Sequence, residues 1–313
     1  MDTAPQPADT AVRFRAMGTD AHVVVVGGPT GLVDDIRRRI ADLERRWSRF
    51  LPGSEVSALT ARAGEAVAVS ADTRLLVARA IEAWRLTGGA FDPTVLGSLH
   101  RAGYSQSFEL GPRRVATTGL AVVGCTDITI DSSSVRLPAG TGFDAGGIGK
   151  GLAADLAVEE ALAAGAAGVC VNLGGDLRVA GEAPAGTTWT IAVEHPWSRT
   201  PVVRLGLGAG AVATSTTLRR AWTIDGRDYH HLIDPATGAP AATDLTAATV
   251  VTGQAWSAEV LAKAVLLRGR ERAFDVLDVH AEALVVGSDG AITTTPGLIA
   301  FLGDQPVPAG VDR

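Results

Sequence analysis

The order of apolar runs along the 313 residues predicts an α+β fold. Strand-like runs come in clusters, helical periodicities fall between them at irregular intervals, and no regular β-α alternation of a parallel sheet develops. Hydrophobic residues make up 46% of the chain and charged ones 20%, so burial is available to offset chain entropy. No run of about 18 uninterrupted apolar residues supplies a membrane-spanning helix. A formal charge of −6 lacks the basic footprint of a nucleic-acid-binding protein.

Residues 1–11 are polar and proline-containing, which predicts a flexible tail. They carry no apolar core of signal-peptide length, so the cytoplasm is the expected compartment. HVVVV at 22–26 predicts a short buried strand. Ile36, Ile40, Leu43 and Trp47 recur at 4-3-4 spacing and predict a helix over 34–50, stopped by Pro52 and Gly53. Val77, Ile81 and Trp84 mark the inner face of a second helix over 72–87. GGAFDPTVLGSLHRAGY (88–104) reads as an ordered loop leading into a short helix. Residues 115–137 hold short strand-like runs, clearest at ITI and VRL. A strand end, a glycine-rich loop and a helix over 149–164 follow. VCVNLGG is a buried strand, 176–208 alternates like hairpins, and 211–235 holds a polar loop and a strand pair. AATVV precedes a helix over 256–268, and ALVVGSDGAITTT closes as a hairpin. No linker or break in composition divides the chain. Residues 12–303 are therefore expected as one domain, with a tail at 304–313.

Cys125 and Cys170 stand 45 positions apart without a CxxC partner, a pattern of buried thiols and neither a disulfide framework nor a zinc site. The cations are more telling. Of 28 lysines and arginines only Lys150 and Lys263 are lysine, so each marks a place where a compact ammonium serves and a planar guanidinium does not.

Four constellations offer chemistry. Asp144-Ala-Gly-Gly-Ile-Gly-Lys150-Gly151 opens a helix and offers either a tight turn or an anion cradle; its spacing is neither a P-loop nor a dinucleotide fingerprint. Asn172-Leu-Gly-Gly-Asp176 is a glycine turn between strands or a close-approach point for a flat ligand, with Asp176 as cap or acceptor. In Tyr229-His230-His231 the two imidazoles of an extended segment face opposite ways, so at most one serves a given pocket. Asp234 in DPATG suits an Asx turn. Glu259 and Lys263 lie i, i+4 on an apolar helix, either as an ion pair or as a site in which a buried lysine needs an anionic partner.

Taken in chain order, AMGTDAHV (16–23), WSRFLPGSEVSAL (47–59), GGAFDPTV (88–95), FDAGGIGKGLAADLA (143–157), VNLGGDLRVAG (171–181), VATST (212–216), YHHLIDPATGAP (229–240) and AEVLAKAVLLRG (258–269) resemble the ApbE family of FAD:protein FMN transferases. The resemblance covers about residues 13–303. It implies a mixed fold of antiparallel-rich sheets with flanking helices, and phosphoryl transfer from FAD as a substrate. In that chemistry a metal ion polarises the diphosphate, a Ser or Thr hydroxyl of a target flavoprotein attacks the FMN-side phosphorus, and AMP leaves. By matching motifs, Met17, Phe50, Ala90, Phe91, Asp92, Asp144 and Lys150 would line the FAD site. Thr214 and Ser215 would add polar contacts, and His231 would lie near the flavin or diphosphate as a general-base candidate.

The departure is at the metal. The resemblance implies magnesium held by an Asp, by a Thr four residues on and by a glycine-loop carbonyl. The matching positions are Glu259, Lys263 and Gly147. Gly147 and Glu259 keep an oxygen each, whereas Lys263 has no acceptor and repels a cation. Its ammonium instead offers a stand-in for the metal, against Glu259 or the FAD diphosphate. Glu259, Lys263 and His231 are thus the residues expected to carry the chemistry. Two other activities suit the same scaffold: a metal-independent FAD-binding protein, and an FAD pyrophosphatase with water as nucleophile.

Overall fold

Eight strands lie side by side in chain order: β1 (Asp9–Ala16), β2 (Thr19–Val26), β3 (Gly168–Leu173), β4 (Asp176–Gly181), β5 (Gly210–Thr216), β6 (Leu245–Thr252), β7 (Glu282–Gly287) and β8 (Ile292–Thr294). Every neighbouring pair is antiparallel. The computed structural model describes residues 9–113, 119–184, 186 and 188–303. Five helices fall in the excursion between β2 and β3: α1 (Leu32–Trp47), α2 (Glu55–Ala61), α3 (Ala71–Leu86), α4 (Leu96–Arg101) and α5 (Gly149–Ala163). A sixth, α6 (Ala255–Arg272), lies between β6 and β7. Helices gathered into two excursions from an antiparallel sheet make the fold α+β, as predicted.

The sheet is apolar on both faces with a period of two. Val169, Val171, Ala211, Ala213, Val250 and Val285 join the core cluster under the helices. Cys170, Val212, Val251, Leu284 and Val286 join a second cluster, under the hairpin Trp189–Val193/Val203–Leu207 and the short turn of helix Pro296–Phe301. Both cysteines are free and buried.

Helix α1 buries Ile36, Ile40, Leu43 and Trp47, as their spacing predicts; Asp34 and Asp35 at its start and Arg45 and Arg46 at its end complement the helix dipole. In α3 the buried stripe is Thr73, Leu76, Val77, Ala80 and Ala83, with Ile81 and Trp84 half-buried beside it. Of the predicted face, Val77 lies in the stripe and Ile81 and Trp84 along its edge. Helix α6 runs on to Arg272 but breaks its helical geometry at Gly269, where φ is +70°.

The sequence reading misses several elements, among them β1, α2 and the short strand Ala66–Ala68. Strand β1 claims residues 9–11 of the expected tail, pairing Asp9, Thr10 and Ala11 with Val26, Val25 and Val24. Helix α2, seven residues capped by Ser54 accepting from the Ser57 N–H at 3.0 Å, is too short to show a period. Thr129–Ile130 and Ser134–Arg136 pair with each other, and the latter with Ala66–Ala68. Residues 1–8 and 304–313 of the expected tails, and 115–118 of the strand-like region, lie outside the described residues. No helix among the described residues is long and apolar enough to cross a membrane.

Candidate functional site

Helices α5 and α6 cap each other. Asp155, nearly two turns into α5, accepts the α6 N-terminal N–H groups of Ala255 at 2.8 Å and Trp256 at 2.9 Å. Glu259, one turn into α6, accepts the Gly151 N–H of α5 at 2.8 Å. Each helix thus satisfies backbone donors the other leaves unpaired. The approach is close enough that a Cβ at Gly151 would overlap the Ala255 carbonyl. This seam is why a glycine must follow Lys150.

Lys150 reaches from the same turn to the carboxylates of Asp176, at the start of β4, and Glu259. Burial lowers the Lys150 pKa, but the two carboxylates outweigh it and carry the pKa above the usual range. Burial pushes the Glu259 carboxyl up, Lys150 opposes this, and the like charge of Asp176 adds to it. The i, i+4 ion pair of Glu259 with Lys263 does not form, because both Glu259 oxygens are engaged by Lys150 and Gly151.

Lys263 therefore stands apart. No carboxylate lies within 4 Å of its Nζ among the described residues; the Phe91 ring lies beneath it at 5.5 Å. Its ammonium presses on the glycine loop so closely that a Cβ at Gly147 would overlap Nζ. Burial lowers the Lys263 pKa, with Asp144 and Glu259 partly restoring it.

Two adjoining cavities of about 530 and 870 Å³ share Lys150, Lys263, His231 and Arg220 in their walls. Both volumes suit small-molecule ligands. The first is walled by Phe50, Tyr104 and Phe108, with Phe50 and Tyr104 ring centroids 5.7 Å apart. The Arg49 guanidinium lies 4.2 Å from the Phe50 centroid and 4.5 Å from that of Tyr104, and its Nε meets Asp144 at 2.8 Å. Asp144 is thus tied to the aromatic wall. The second cavity is lined by Thr214, Ser215, Asp176 and Glu259.

The histidines divide between fold and cavity as expected, although the strand Arg227–His230 ends before His231. His230 is structural: its ring accepts from the Leu232 N–H at 3.3 Å and meets the Ala241 carbonyl at 3.2 Å. His231 faces both cavities, and its Nδ1 has no hydrogen-bond partner. Burial, then the positive charges of Arg220 and Lys263, hold its pKa well below the ordinary value of 6.5, so the imidazole is neutral at pH 7. Asp234 makes the Asx turn, accepting from the Ala236 N–H at 2.9 Å. Gly174 and Gly175, at φ +70° and +101°, form the turn before Asp176, with Asn172 accepting from Gly175 N–H at 2.9 Å.

Of the residues expected at the site, Met17, Phe50, Asp144, Lys150, Thr214, Ser215, His231, Lys263, Gly147 and Glu259 line one or both cavities. Ala90, Phe91 and Asp92 lie behind the wall. Ala90 packs on the core, Phe91 is buried under Lys263, and Asp92 is occupied with the Thr94 N–H at 2.7 Å and hydroxyl at 2.6 Å. Arg49, Tyr104, Asp155 and Arg220 were not singled out. Arg49 adjoins Phe50 in the sequence, which was its one available signal; the others reach the site only through tertiary contacts.

The donor set does not suit a hard divalent cation, which takes several oxygens at about 2.0–2.6 Å. Both Glu259 oxygens already accept from Lys150 and Gly151, and the ammonium of Lys263 presses on Gly147. No cluster of three or more His, Cys, Asp or Glu side chains placed to hold a metal occurs among the described residues.

A sequence profile of the ApbE family matches residues 17–285. A FAD:protein FMN transferase of Vibrio cholerae is 28% identical over 283 residues, spanning 84% of this chain and 83% of its own. One from Haemophilus influenzae is 26% identical over 303 residues, spanning 90% and 87%. The crystal structure of the ApbE protein from Thermotoga maritima superposes with a TM-score of 0.84 at 28% identity, covering 95% of this chain and all of that one. The apo form of the Pseudomonas stutzeri flavinyl transferase ApbE gives 0.83 at 26% identity, covering 98% and 100%.

Proposed function

The chain belongs to the ApbE family, and from that premise we propose that it transfers FMN from FAD to a Ser or Thr hydroxyl of a target flavoprotein. One observation carries the reading to this chain's own residues: Lys150, Lys263, Arg220 and a neutral His231 meet where a cavity walled by aromatic rings adjoins a second, more polar one. A dinucleotide with a flat ring system and an anionic diphosphate matches that arrangement. The Phe50 and Tyr104 rings offer a stacking surface. Lys263 and Arg220 neutralise the diphosphate, whereas the charge of Lys150 is already met by Asp176 and Glu259.

In the transfer, the acceptor hydroxyl oxygen bonds to the FMN-side phosphorus while the bond from that phosphorus to the bridging oxygen breaks. AMP departs with the bridging oxygen and its electron pair, and FMN remains on the protein through a phosphodiester. The hydroxyl proton passes to the neutral imidazole of His231. Burial is the first cause of the low His231 pKa; binding the diphosphate offsets the second, the positive charge of Arg220 and Lys263, and so makes the imidazole a better base when substrate is present. Asp144, fixed by Arg49, and Lys150, fixed by Asp176 and Glu259, hold the loop and helix start in place.

The test incubates the chain with FAD and an apo-flavoprotein subunit as acceptor. Covalent flavin fluorescence on the denatured acceptor, with AMP in equal amount, is expected. AMP without covalent flavin would make the protein a pyrophosphatase; tightly held FAD with neither product would make it a flavin-binding protein.

A further inference from the structure

We infer that Lys263 is a built-in cation of the diphosphate site, so that this chain binds FAD on its own ammonium and needs no divalent ion. The inference rests on the FAD reading above and deepens it. It starts from a mismatch: of the three positions where the resemblance places metal ligands, Lys263 offers no acceptor, and both Glu259 oxygens are already engaged by Lys150 and the Gly151 N–H.

The charges around the seam do not balance as a metal site would. Asp176 and Glu259 face inward together, and the cation between them is already present as Lys150. A second cation entering between these carboxylates would have to displace Lys150 and break the Glu259 bond to Gly151 N–H that caps α5. Lys263 has the opposite arrangement. It carries a charge on a largely buried stem, has no ion-pair partner among the described residues, and opens onto both cavities. An ammonium left so is a standing cost that an anionic ligand removes. The glycine at 147 leaves room for Nζ against the loop backbone, where any side chain would collide with it. A compact point charge fits this place and a planar guanidinium does not, which accounts for one of only two lysines among 28 basic residues.

In the transfer step Lys263 would then neutralise the charge that gathers on the diphosphate oxygens as the bond to AMP breaks, without entering any covalent bond.

The test is an FAD titration, read by quenching of tryptophan fluorescence, in EDTA and in millimolar Mg²⁺. It uses the wild-type chain and Lys263→Met, with thermal unfolding of both as a check on folding. Wild type is expected to bind FAD equally in the two buffers. Lys263→Met is expected to keep its folding transition and to lose FAD affinity about tenfold or more in both. FAD binding by wild type only in Mg²⁺ would overturn the inference and leave the transferase reading standing. Unchanged affinity in a folded Lys263→Met would also overturn it. Wild type binding no FAD in either buffer would bring down the transferase reading itself. Should Lys263→Met fail to fold, Lys263→Gln takes its place in the same titration, with the same loss of affinity expected and unchanged affinity overturning the inference.

Discussion

At the start of α5, Lys150 lies between two carboxylates and beside a backbone N–H that one of them caps. Halfway along α6, Lys263 has an aromatic ring below it, a glycine backbone against it and no carboxylate at ion-pairing distance among the described residues. The two ammonium groups share cavity walls and a nearly buried setting, yet one is consumed by the fold and the other is left for a ligand. Partnership, more than burial or residue type, separates the structural cation from the ligand-facing one.

The sharpest way to break this comparison is to remove each charge in turn. Lys150→Met leaves Asp176 and Glu259 facing each other without a cation and should lower stability by about 3–5 kcal/mol in urea denaturation. Lys263→Met removes a buried charge with no ion-pair partner to strand and should leave stability unchanged or slightly higher. Equal losses would show that Lys263 also holds the fold together.

Gly151→Ala tests the seam that gives Lys150 its partners. The new methyl meets the Ala255 carbonyl, so α5 and α6 must part, and stability should fall by about 1–3 kcal/mol. An unchanged unfolding midpoint would mean that the mutual caps tolerate separation.

The smallest effect concerns His231, which borders both regions. Its folded pKa lies below the ordinary 6.5. As pH falls below that value the unfolded chain gains a proton that the folded chain refuses, and stability falls with it. The slope is at most about 1.4 kcal/mol per pH unit. His231→Gln should flatten this part of the stability profile between pH 7 and 5. A wild-type profile no steeper than the variant's would show that the imidazole protonates freely in the folded protein.

Much of the architecture was legible because it rests on local periodicity. The 4-3-4 spacing of Ile36, Ile40, Leu43 and Trp47 gives α1, and the alternation of β3, β5 and β7 follows from side chains sorting to two covered faces. Strand β1 escaped because its residues are mostly exposed along an edge of the sheet, which looks like a polar tail. At the site, the scarcity of lysine singled out both ammonium groups. Their opposite roles were not legible, since Glu259 is four residues from Lys263 in sequence and yet bonds Lys150, 109 residues away. The roles of Arg49 and Asp155 were hidden for the same reason: their partners, Asp144 and the α6 N-terminus, lie 95 and about 100 positions away along the chain.

Because the chain has two lysines only, an NMR spectrum of protein labelled with ¹³Cε-lysine contains two signals, assigned by the loss of one in Lys263→Met. Adding FAD in EDTA should move the Lys263 signal and leave that of Lys150 in place. A Lys263 signal that stays put while FAD binds would contradict the division of labour between the two lysines.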